Sequence, residues 1–145
     1  MVGLIWTIHT VHYALFPKVG EVYFPAYESD HVNRIGKLLM LPWTLEGVTL
    51  LGILWLAFFG GYVKLRLPAL IGGFAMAVVL VISGFWSAPA HGVLVDGFDK
   101  AVYHRLMVAD LVRTLAWTVR GFTAVWILVL LWPAVSNKPE RSSAS

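Results

Sequence analysis

The chain is predicted to be an all-α integral membrane protein, a four-helix bundle whose second and fourth spans are preceded by amphipathic surface helices. Three observations carry this. Of its 145 residues, 59% are hydrophobic and only 13% charged, against about 45–50% and about 25% in a soluble domain. The mean hydropathy is +0.75. The apolar residues gather into four stretches; at roughly 20 residues per span these use about 80, leaving only short loops and a tail. Helices follow because unpaired backbone groups in hydrocarbon cost several kcal/mol, and no stretch alternates like a barrel strand. The sequence has no cysteine, which excludes disulfides, thiolate catalysis, iron–sulfur clusters and cysteine-type zinc sites. A formal charge of +3 and a pI near 9.4 suit loops at an anionic lipid surface, so the bilayer and not nucleic acid is the expected partner.

The spans are placed at residues 2–17, 38–61, 67–88 and 108–132, within one domain over 1–135. The first begins at the initiator and ends at Pro17-Lys18, just under the lower limit of about 17 residues for a crossing. It lacks the basic start and cleavage site of a signal peptide and is read as retained. Between spans one and two, Pro17 to Pro25 is turn-like. Ser29 or Asp30 then caps a helix carrying Val32, Ile35, Leu38 and Leu39 on one face. Between spans three and four, Pro89 and Gly92 break the chain. Asp99 caps a helix with Val102, Leu106 and Ala109 on its apolar side, continuing into span four as one rod that Pro133 ends. The tail, 136–145, is polar and expected to be disordered.

Four spans put both termini on one side, with Lys64, Arg66, Lys138 and Arg141; Lys18, Arg34, Lys37, Lys100 and Arg105 lie on the other. The count nearly ties, and the termini are assigned to the cytoplasm of a bacterial inner membrane.

Polar residues at hydrocarbon depth carry the functional signal, because a charge at mid-bilayer costs at least about 2.5–3.5 kcal/mol and so faces a partner or a cavity. His9 and His12 project from nearly one face of span one. Glu46 follows Pro42, which removes a backbone hydrogen bond and bends the helix. Asp110 and Arg113 are three apart and can pair, and Arg120 lies two turns deeper on the same face. Glu46, Asp110, Arg113 and Arg120 are therefore predicted to form a buried polar network with a Glu46–Arg120 contact, or Glu46–Arg113 if span two sits higher. Such a pair either fixes helix register or lines a polar cavity. His9, His12, His91 and Trp117 are the candidates for contact with a ligand or pigment, a haem or a bacteriochlorophyll; no metal ligand set is assigned. His31 and His104 are placed on the surface helices, facing solvent or headgroups.

Trp6, Tyr13, Phe16, Trp43, Tyr62, Trp86 and Trp132 are expected as interfacial anchors, whereas Trp55, Trp117 and Trp126 would meet lipid, a partner or an apolar ligand. Gly72-Gly73, Ala75, Ala77, Gly47 and Gly52 permit close helix approach. Phosphate-cradling glycine loops, Ser/His/Asp sets and HExxH patterns are absent.

Phe16-Pro17, Phe24, Ala26-Tyr27, Arg34 and Pro42, with Leu106 to Arg113 and Thr114 to Arg120, resemble the small four-helix bacterial membrane proteins related to anthrone oxygenases. Most of that group has no assigned function; its named members are cofactor-independent oxygenases of polyketide anthrones. The resemblance implies a four-helix bundle and a pocket built on span four. Two function classes follow. One is a non-catalytic accessory subunit packing against other subunits of a larger electron-transfer or photosynthetic membrane complex, favoured because no tight site motif is present. The other is a membrane oxidoreductase or oxygenase for an apolar aromatic or quinone-like substrate.

Overall fold

In the computed structural model, the backbone is described over residues 1–136 and side chains over 1–132. The described residues form helices and no strands, in four rods. Helix α1 covers 2–18 and changes pitch twice: an α segment Val2–Thr7, a π turn Ile8–His12 and a 3-10 turn Tyr13–Lys18. Helix α2 is Phe24–Phe58. Helix α3 opens with a 3-10 turn, Val63–Leu65, and continues as Arg66–Ile82, a π turn Ser83–Ser87 and Ala88–Leu94. Helix α4 is Lys100–Ser136. Of these, α2, α3 and α4 are long and apolar enough to cross a membrane.

Asp99 caps α4 as expected, its Oδ1 accepting from the backbone N–H groups of Ala101 at 2.7 Å and Val102 at 2.9 Å. The surface segment and span four are one rod. Other boundaries differ from the sequence expectation. Neither Ser29 nor Asp30 caps a helix: α2 starts at Phe24 with Pro25 in its first turn, where a missing N–H costs nothing. Asp30 instead pairs with Arg34 on the exposed face at 2.9 Å. Pro89 and Gly92 do not break α3, because Pro89 sits in the first turn of Ala88–Leu94 after the π turn. The rod therefore ends at Leu94 rather than at 88. Helix α4 runs past Pro133 to Ser136, as transmembrane helices allow. The tail, apart from Ser136, lies outside the described residues.

Helices α3 and α4 pack closely through Gly72, where an added Cβ would stand 2.8 Å from Thr123 Oγ1 and 3.3 Å from Arg120 Nη1. Gly121 gives the same freedom to α1, whose Val2 Cγ2 lies 2.6 Å from the Cβ position. Gly47, Gly52 and Gly73 meet no neighbour within 4 Å and are not packing contacts. The turn between α2 and α3 needs Gly61, at φ +79°.

Ile5, Leu50, Met76, Val79, Ala116 and Trp117 form one core cluster. A second gathers Ile8, Tyr13, Phe16, Phe24, Leu94 and Leu106 where α1, α2, α3 and α4 meet. Tyr13 and Phe16 are thus core residues and not interfacial anchors, because the 3-10 turn rotates them inward.

Candidate functional site

The second core is lined with groups that water normally solvates. On α2 the buried stripe is Phe24, Glu28 and His31, spaced by four and three residues and so aligned on one face. Of the apolar face expected on this segment, Val32 and Leu38 are exposed and Ile35 packs against the second core. His31, expected at the surface, is only 7% exposed, and Glu28 is fully buried. Helix α3 brings His91 alongside, one turn after the π turn Ser83–Ser87. Helix α1 contributes His12 and Tyr13 at the junction of its π and 3-10 turns. π turns insert an extra residue into a helix and recur at functional sites because they re-aim the side chains around them.

The contacts form a chain. His12 Nε2 and His31 Nδ1 are 2.7 Å apart. His91 Nε2 lies 2.9 Å from the Tyr13 hydroxyl, and His91 Nδ1 lies 2.5 Å from Glu28 Oε1. The His31 and His91 rings are 5.3 Å apart between centroids. Aromatic rings enclose the group: Phe16 stands edge-on to both His12 and His31 at 5.5 Å, and Tyr27 is 6.2 Å from His12. Glu28 Oε2 and His31 Nε2 are buried without a hydrogen-bond partner among the described residues. A group left so costs about 1–3 kcal/mol.

A second polar knot lies on α4. His9 Nδ1 is 2.9 Å from Asp110 Oδ2, and Arg113 Nη1 is 3.9 Å from Asp110 Oδ1. The predicted Asp110–Arg113 pair is therefore present, with His9 as an added partner. Glu46 and Arg120 also meet as predicted, at 3.4 Å, but this pair shares no contact with Asp110 or Arg113 among the described residues, and Glu46 is partly exposed. The predicted buried network is therefore two separate pairs, because the depth at which the helices cross brings Glu46 to Arg120 alone. Glu46 lies on a separate groove with Pro42, Thr49 and Met1. Trp117 is 1% exposed, packed in the first core beside Trp43 at 6.3 Å, rather than facing lipid. His91 faces Tyr13 and Glu28, not His9.

A groove of about 860 Å³ runs between α1 and α2, walled by Leu4, Ile8, Ile35 and Leu38 with His12 and His31 on its side. It connects the cluster to the exterior. In the sequence His31 reads as a surface residue and Glu28 as part of a polar connection, because both lie before the apolar stretch of span two. The available signal was their Glu-x-x-His spacing, which places a carboxylate and an imidazole on one helix face and recurs as a ligand pair in helical bundles. Comparison with family models, with curated proteins and with solved structures yields no match.

Proposed function

We propose that the protein is a small oxidoreductase or oxygenase of the bacterial inner membrane, with both termini cytoplasmic, acting on an apolar aromatic or quinone-like substrate. The observation behind this reading is the groove between α1 and α2 with the His12–His31 pair on its wall. Its volume is within the range of about 300–1,000 Å³ typical of small-molecule sites, and its aliphatic walls suit a flat apolar ring system. His12 is half-buried and borders the groove, so its imidazole is the group placed to take an acidic C–H proton. His31 holds that ring in one orientation. The aromatic carbanion so formed would reduce dioxygen; overall a ring CH₂ and O₂ become a ring C=O and water. The resemblance to anthrone oxygenases favours the same substrate class.

The test is turnover of anthrone under air by protein purified in mild detergent, followed by oxygen uptake and quinone absorbance. His12→Ala should lower kcat/KM by about 10²–10⁴-fold, the usual contribution of a positioned acid–base group. No turnover above detergent alone, or turnover indifferent to His12→Ala, overturns the proposal.

A second reading, the accessory subunit, rests on the outer face of α2. Only 6% of its most apolar window is buried, and Trp55 and Phe59 are exposed on or beside it. Blue-native electrophoresis of native membranes tests it: migration in a larger complex supports a subunit role, and migration solely as the free chain ends it.

A further inference from the structure

We infer that Glu28, His31 and His91 form a binding site for one divalent first-row transition metal ion. Each residue offers one ligand atom, and the three atoms lie within 4.8 Å of one another. Around a tetrahedral ion with bonds of about 2.0–2.2 Å, ligand atoms are about 3.4 Å apart. The 2.5 Å separation of His91 Nδ1 and Glu28 Oε1 thus has to widen slightly, and the widest approach to narrow, for an ion to enter.

The hydrogen bonds select the ligating atoms. His31 Nδ1 is held by His12 Nε2 and His91 Nε2 by the Tyr13 hydroxyl. This leaves His31 Nε2 and His91 Nδ1 for the ion, each ring oriented through its other nitrogen as metal-binding histidines usually are. His31 Nε2, a partnerless buried atom of this cluster, would then be satisfied. Two imidazoles and one carboxylate suit zinc or ferrous ion and disfavour calcium and magnesium, which take oxygen ligands. Both anchoring residues of α2 are rigidly spaced by the helix, and the groove beside His31 offers a route for entry.

This inference is separable from the turnover reading. With the ion bound, His31 Nδ1–H donates to His12 Nε2, whereas a basic His12 needs the reverse, so turnover belongs to the metal-free protein. A protein that binds metal without oxidising anthrone keeps the one and loses the other. The full-length protein in detergent is stripped with chelator and titrated with cobalt(II) and zinc(II) alone. The expected result is one ion per chain, with visible cobalt bands of nitrogen and oxygen ligation. Proton NMR of the cobalt form should show two paramagnetically shifted imidazole N–H resonances, one for each ligating ring. Glu28→Gln and His91→Gln should abolish uptake, Tyr13→Phe and His12→Ala should weaken it about 10–100-fold, and the surface variant His104→Gln should leave it unchanged. Helical circular dichroism establishes that each variant is folded, and if one is not, the wild-type NMR decides alone. Absence of uptake, uptake that folded Glu28→Gln and His91→Gln retain, or cobalt without shifted imidazole protons would overturn the site.

Discussion

The histidine–glutamate cluster and the Glu46–Arg120 pair are both polar insertions in an apolar bundle, and they differ in how many helices close over them. The cluster draws on α1, α2 and α3, its Glu28 is fully enclosed, and aromatic rings surround it. The pair joins only α2 and α4, and the Glu46 side chain is 30% exposed against 4% for Arg120. Both are polar contacts between helices, but only the contacts of the cluster depend on three rods keeping their relative positions. A polar group there acts as a joint between elements. At the pair, Glu46 is a counter-ion at the edge of a groove.

This contrast is sharpest in unfolding measurements. Glu28→Ala should show the largest loss, about 3–5 kcal/mol, because it empties a fully enclosed side-chain site and leaves His91 Nδ1 without its partner. Thermal unfolding in detergent, followed by circular dichroism, reads it, and a loss below about 1 kcal/mol would make the cluster no more structural than the pair. Gly72→Val should come next, at about 1–3 kcal/mol, since its side chain would displace Thr123 and Arg120 where α3 meets α4. Glu46→Gln should cost about 1–2 kcal/mol, because it removes the charge facing the buried Arg120 guanidinium but leaves a carbonyl oxygen of the same shape at the open edge of the groove. Asp30→Ala, which removes the exposed pair with Arg34 on the same helix as Glu28, should change stability by only about 0.3–0.5 kcal/mol.

The two regions also differ in how far they could be read from residue order. The Glu46–Arg120 contact was legible because both lie inside apolar stretches, where a charge stands out and candidate partners are few. Asp110–Arg113 and the Asp99 cap were legible because both are local and follow helix spacing. His31 and Glu28 were not. They lie in a polar stretch where exposed charges are the rule, and their burial depends on α2 extending six residues closer to the N-terminus than the Ser29 cap position implies. The π turns at Ile8–His12 and Ser83–Ser87 had no visible signal either, and they set where His12 and His91 point.

Composition alone determined that the chain is helical and membrane-spanning, because hydrocarbon leaves unpaired backbone no alternative and apolar runs of this length have no soluble use. Periodicity determined the long rods and which buried charges could pair along or between them. Tertiary packing decided the rest: Trp117 became core instead of a lipid-facing ring, Gly72 and not Gly47 became the close contact, and three residues distant in sequence became one cluster. Side chains three or four apart are brought together by helix geometry. Glu28 and His91 are 63 residues apart and meet only when separate rods pack at one angle and depth, which no local pattern encodes.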